Sequence, residues 1–309
     1  MSKLTRKTLI LAVIETVVGT DAVPTAALNS ILARSVTYTP TVELASRDVM
    51  RPYLGNSEQL PAAIHGQLDF EIELAGAGAA GTAPAWGALI QACGFSETIT
   101  AGDNVKYEPI SDNLPTVTLY YYLDGLFHKL TSGRGTVAID MTAKSIPVMK
   151  FKFTGLYSDV VDQAMPTGVD YSHFQKPLVV NKVNTPNWSF QGVSSPLQAL
   201  SIDVANSVNY RNLVKQESVD ITDRKPAGSA TIQLDSVATK DWWAAVRDAI
   251  TGPLTITHGK TAGNIVQIDG PAVQATNPAY SDQNGTAMLG LNLTFVPVTG
   301  NDEITITVK

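Results

Sequence analysis

The chain is poor in charge, in cysteine and in unbroken apolar runs, and each shortage removes a class of protein. Charged residues make up 16% of its 309 positions, against about 25% in ordinary soluble domains. So sparsely charged a surface is better suited to being covered than to lying bare in water. The net charge is −6 and no block of Lys and Arg occurs, which argues against a protein that grips nucleic acid, because phosphate contacts need clustered cations. A single cysteine, Cys93, excludes an internal disulfide and a thiolate metal site. It falls on the apolar face of an expected helix and reads as a small buried hydrophobe. No apolar run approaches the roughly 20 residues that span a bilayer as a helix. The opening MSKLTRKTLILAVIE imitates a secretory signal, but its apolar run stops at Glu15, so secretion is not expected.

Chemistry is scarce as well. His65, His128, His173 and His258 lack the i, i+4 spacing of metal-binding histidines. Neither a nucleophile elbow nor a P-loop occurs. The stretch GAGAAG, Gly76 to Gly81, satisfies the dinucleotide pattern, follows a strand, precedes a helix and has Glu97 near the distance of a ribose-binding acid. The chain around it does not alternate strand with helix, so no parallel sheet is available to hold a nucleotide. We read the glycines as a permissive turn. No catalytic site, metal or cofactor is expected, and the chain is not read as an enzyme.

What is abundant is alternation. With 44% hydrophobic residues in 309, the chain can fill two cores, and two domains are the expectation at this length. In QLDFEIELA, Leu68, Phe70, Ile72 and Leu74 share one face while Asp69, Glu71 and Glu73 share the other, which predicts a half-buried strand. VTLYYYL, TVAIDM and PVMKFKFTG follow as further strands, the last placing Lys150 and Lys152 where they can balance those acids across a sheet. Between them, PAWGALIQACG reads as a helix with Trp86, Leu89, Ile90 and Cys93 on one face and Gly94 as its stop.

The second half repeats the order. SATIQLD, LTITHG, NIVQIDGPAVQAT and TAMLGLNLTFVPV are strands, and DWWAAVRDAITGP is a helix with Trp242, Val246, Ala249 and Ile250 on one face, stopped by Gly252 and Pro253. A tryptophan-led helix in the same slot of each half predicts an internal duplication. The expected division is a first domain over residues 1–157, including an N-terminal segment 1–40, a connecting arm over 158–199 with PLVVNKV as a pairing segment, and a second domain over 200–309. Ahead of the first strand of each half lies a polar excursion of some twenty residues. Arg47, Arg51 and Tyr53 in one, and Tyr210, Arg211 and Lys215 in the other, are residue types enriched at interfaces.

Three segments carry a resemblance. IETVVGTDAVPTAALNSIL, SRDVMRPYLGNSEQLP and above all ELAGAGAAGTAPAWGALIQACGF resemble the tail tube proteins of long-tailed bacteriophages, most strongly through residues 7–157. The resemblance implies a mainly β fold of two tandem tail-tube-like β-sandwich or barrel domains with one short helix each. It implies a non-enzymatic virion subunit, assembled in the host cytoplasm into stacked rings that form the hollow tail tube. Its implied partners are copies of itself, a tape-measure protein, a tail terminator and distal tail tip proteins, with phage DNA only transiently in the lumen. Family rings are commonly sixfold, so a duplicated chain suggests trimers with pseudo-sixfold symmetry. On this reading Asp69, Glu71, Glu73, Gln233 and Asp235 face the lumen, the two excursions stack the rings, and Trp86, Leu89, Ile90, Trp242 and Val246 fill the cores. A carbohydrate- or receptor-binding β-sandwich of a tail tip or adhesin is the alternative, because it shares the strand pattern.

Overall fold

Alternation decides most of the architecture. Leu68, Phe70 and Ile72 are buried while the acids between them stay partly exposed, as a strand with one face on a core requires. The computed structural model describes residues 2–309, with 52% of the chain in strands. The first half contains β1 (Thr8–Ile14), β2 (Ser30–Ile31), β3 (Arg34–Ala45), β4 (Leu60–Glu73), α1 (Gly87–Ala92), β5 (Phe95–Thr100), β6 (Asn104–Pro109), β7 (Val117–Leu123), β8 (Leu126–Thr142) and β9 (Val148–Tyr157). Then come β10 (Val161–Asp162), β11 (Asn187–Phe190), β12 (Leu197–Asp203), β13 (Asn206–Leu213), β14 (Gln216–Arg224) and β15 (Ala227–Gln233). Last are α2 (Trp242–Arg247), β16 (Thr251–His258), β17 (Val266–Gln283), β18 (Thr286–Phe295) and β19 (Thr305–Val308).

The same pairing order occurs twice. β3, β4, β9 and β8 lie side by side, all antiparallel. β12, β15, β18 and β17 repeat that arrangement. On one edge β8 serves two neighbours, β7 along its first half and β12 over residues 138–142. The two sets therefore join into one run ordered β3-β4-β9-β8-β12-β15-β18-β17. Around it, β1 pairs with β7 and β2, and in the second half β11 pairs with β16. β19 joins β17 to the β5–β6 hairpin, so the last strand is stitched to the first half. Buried side chains of both halves form one continuous cluster.

Both tryptophan-led helices are present, and both are short. Trp86 is the N-cap of α1, and Gly94, at φ +85°, takes the left-handed turn that ends it. Asp241 caps α2 by accepting from the Ala244 N–H at 2.8 Å. Here the sequence expectation needs correction, because Gly252 and Pro253 lie inside β16 and do not stop the helix. The stop is Ala249, at φ +52°, with the Ile250 N–H donating to the Ala245 carbonyl at 2.9 Å, which is a Schellman closure. Ala249 and Ile250 are consequently exposed rather than on the core face, while Val246 is half-buried against the core.

The segment 158–199 is not a free arm. Met165 and Tyr171 pack on Leu9, Leu11, Tyr120 and Tyr122, which gives β1 and β7 apolar contacts on both faces. PLVVNKV forms no strand, although Val180 is buried and exchanges backbone bonds with Lys144 and Ser145 at 2.8 and 2.9 Å. The pairing strand is β11, and β12 starts at Leu197. The second set of strands thus begins ahead of the boundary expected at residue 200.

Glu15, which ends the first apolar run, is itself buried. Its two carboxylate oxygens accept from the Gly19 and Ser132 N–H groups and the Thr116 and Thr118 hydroxyls, at 2.7–2.9 Å. A buried carboxylate persists when its lone pairs are satisfied in this way.

Candidate assembly interface

Antiparallel rungs place the two strand sets in register with each other. Leu74 donates to the Pro147 carbonyl at 2.9 Å, and Leu234 to the Ala287 carbonyl at 3.1 Å. The following rungs match, Glu73 opposite Val148 and Gln233 opposite Met288. Continuing across the sheet, Ala138, Ile139 and Asp140 of β8 correspond to Ala279, Tyr280 and Ser281 of β17. Likewise Ser201, Ile202 and Asp203 of β12 correspond to Thr37, Tyr38 and Thr39 of β3.

One difference remains between the two sets. Within the chain, β8 and β12 fill each other's edges. Among the described residues β3 pairs only with β4, and β17 beyond Gln274 pairs only with β18. The run therefore ends in two bare edges of the same kinds that join in its middle. Exposed rows of backbone N–H and C=O groups are templates for another strand.

The face of this run turned away from the core is polar. Glu71 stands opposite Lys150 and Asp69 opposite Lys152, as the sequence pattern suggests. Lys150 also bonds Asp140, and Arg34 reaches Glu71 at 2.9 Å and Glu73 at 3.8 Å. Burial pushes the Asp69 carboxyl above the usual range, and the Lys152 charge opposes this only in part. The β15–β18 part of the face carries Ser229, Thr231, Gln233 and Asn292. Asp235 lies past the end of β15, where it accepts a hydrogen bond from Ser195.

The two excursions are not alike. Residues 46–59 form an exposed loop in which Arg47 pairs with Glu58, Arg51 is exposed, and Met50, Tyr53 and Leu54 have no cover. The second excursion is the β13–β14 hairpin, with Lys215 at φ +73° in its turn. It is docked on the first half. Asn206 donates to the carbonyls of Cys93 and Gly135 at 2.6 and 2.9 Å, and Arg134 donates to Val219 O at 2.7 Å and pairs with Asp220 at 2.9 Å. Tyr210 stacks on His65 with centroids 4.5 Å apart, and Arg211 lies 3.6 Å from Asp220.

The glycine stretch is a joint between the halves. The Gly76 N–H donates to Asn264 Oδ1 at 2.7 Å and the Gly78 N–H to Gly263 O at 2.8 Å. A Cβ on Gly76 would lie 2.2 Å from Gly263 O, so backbone meets backbone and those amides are already used. Trp86, Leu89, Ile90 and Trp242 are all buried in the core. Among the described residues, no group of three or more His, Cys, Asp or Glu is placed to hold a metal ion. None of the helices there is long and apolar enough to cross a membrane.

A β-rich chain with bare edges and one polar sheet face has the make-up of an assembly subunit. The phage tail tube protein family matches residues 5–307. The chain belongs to the phage tail tube protein family. No curated protein matches it. As a tail tube protein it is a structural component of the virion tail, and the mainly β fold with two short helices agrees with that membership. Membership also implies self-association and association with other tail proteins.

Proposed function

We propose that this tail tube protein closes with two further copies into a ring, pseudo-sixfold because each chain supplies two duplicated four-strand domains, and that stacked rings form the channel conducting DNA into the host. The observation that carries this reading is the pair of bare edges on β3 and β17, which match the edges joined inside the chain by β8 and β12. Cyclic closure consumes every such edge. The polar face, with Asp69, Glu71, Glu73 and Gln233, lines the channel. Its acids are largely countered by Arg34, Lys150 and Lys152, and it holds no excess of cations to retain DNA phosphates by counterion release. Residues 46–59, with Arg47, Arg51 and Tyr53, contact the next ring. Tape-measure, terminator and tip proteins are its partners during assembly in the host cytoplasm.

Electron microscopy combined with native mass measurement of purified rings tests this directly. Three chains per ring are expected. Six chains would overturn the stoichiometry, and a chain that stays monomeric when concentrated would overturn ring formation. For the lining, Asp69→Asn, Glu71→Gln and Glu73→Gln together leave Arg34 and Lys152 uncountered and Lys150 with Asp140 alone, and should reduce DNA delivery by the assembled tubes. Unchanged delivery would remove these residues from the channel.

A further inference from the structure

The internal junction is a template for the junction between chains. Resting on the ring reading above, we infer that the free edge of β17 pairs antiparallel with the free edge of β3 of a second copy, with Ala279 opposite Thr39, Tyr280 opposite Tyr38 and Ser281 opposite Thr37. Each rung transfers one that the chain already makes, Ala138 with Asp203, Ile139 with Ile202 and Asp140 with Ser201. The transfer uses only the rungs that tie each strand to its own set.

Three local features fit this window. A bulge between Thr276 and Ala279 marks the start of the available stretch on β17, and a bulge between Arg34 and Thr37, with Ser35 at φ +54°, ends it on β3. Ser281, Ala279, Thr37 and Thr39 are exposed small residues, which suit cross-strand packing on the polar face. On the other face Tyr280 is 68% exposed, whereas Ile139 and Ile202 at the internal junction are 2% and 1% exposed. Tyr280 already leans on Trp243 at 6.0 Å, and Tyr38 on Tyr121 at 5.9 Å. Pairing the edges brings these two aromatic pairs together, a contact type that favours strand association.

The register is read by disulfide trapping in assembled tubes, using Ser281→Cys with Thr37→Cys. Directly opposed residues of antiparallel strands lie within disulfide reach, and residues two positions along do not. Oxidation should give covalent dimers and trimers on non-reducing gels. The offset pair, Ser281→Cys with Thr39→Cys, should give at least about tenfold less, while Ala279→Cys with Thr39→Cys should link like the first. Cys93 is buried and does not compete. Tubes of normal width that link equally in the offset pair, or in no pair, overturn the register while leaving the ring. Failure of both matched pairs to assemble even when reduced also counts against it, because these small exposed substitutions leave backbone pairing possible. If the unaltered chain forms no rings, the ring reading itself fails.

Discussion

Ile139 and Tyr280 occupy the same station in the two strand sets, yet Ile139 is 2% exposed and Tyr280 68%. The difference is a second neighbour, since Ile139 lies between β9 and β12, whereas among the described residues Tyr280 is paired on one side only, with β18. Tyr280→Asp should therefore leave the fold intact, with stability changed by about 0.5 kcal/mol or less, as at exposed sites. Ring formation should be lost. Ile139→Asp buries a charge and should cost more than about 4 kcal/mol. Thermal melts with sedimentation velocity separate the two outcomes.

The helix tryptophans fill matching core sites but differ in polarity. Trp86 donates its indole N–H to the Ala75 carbonyl at 2.9 Å, whereas the buried indole N–H of Trp242 meets no acceptor among the described residues. Replacement by Phe removes similar volume at both sites. Only at Trp86 does it also break a buried hydrogen bond. Trp86→Phe should thus be more destabilising than Trp242→Phe by about 1–3 kcal/mol, read as a difference between urea midpoints of the unassembled subunits.

The two excursions should respond differently to deletion. Shortening residues 46–59 removes a loop whose side chains are nearly all exposed, so the subunit should melt at an unchanged temperature while tubes fail to lengthen. Removing β13–β14 strips Arg134 of Val219 and Asp220 and takes the Asn206 donor from the carbonyls of Cys93 and Gly135. That variant should melt several degrees lower before any question of assembly arises. Differential scanning calorimetry of both, followed by electron microscopy, checks the contrast.

Acid should weaken the subunit before its carboxylates titrate. Burial holds His65, His128 and His258 below the usual histidine range. His258 is 3% exposed, donating from Nε2 to Leu178 O at 3.1 Å and accepting at Nδ1 from the Thr185 hydroxyl at 2.9 Å. As pH falls below about 6.5 the unfolded chain takes up protons that the folded one refuses, so stability drops. From His258 the slope is at most about 1.4 kcal/mol per pH unit. Melting temperatures between pH 7.5 and 5.5 should fall, and His258→Gln should flatten that fall. A profile that the variant leaves unchanged would remove His258 as a cause.

Strands with one face in the core were legible because their residues alternate, as in Leu68, Phe70 and Ile72 or Met149, Phe151 and Phe153. β1 was not, because Ile10 and Ala12 face the main core while Leu9 and Leu11 are covered by the 158–199 segment. A strand buried on both faces reads as an unbroken apolar run, here one that imitates a signal sequence. The β13–β14 hairpin carries no local turn signal, because Val214 and Lys215, not glycine and asparagine, form its turn. Ala249 ended α2 in a conformation usually left to glycine, and so moved the expected stop. The joint of β8 with β12 leaves no local mark, since its two partners lie far apart in the sequence.

The backbone contact between Gly76 and Gly263 has a mechanical consequence. With main chain pressed directly on main chain, and with β6–β19 and β8–β12 also joining the halves, the two halves should move together as one stiff tile. A filament laid from such tiles would flex only where one tier rests upon the next, and each tier would keep its bore while the whole bends.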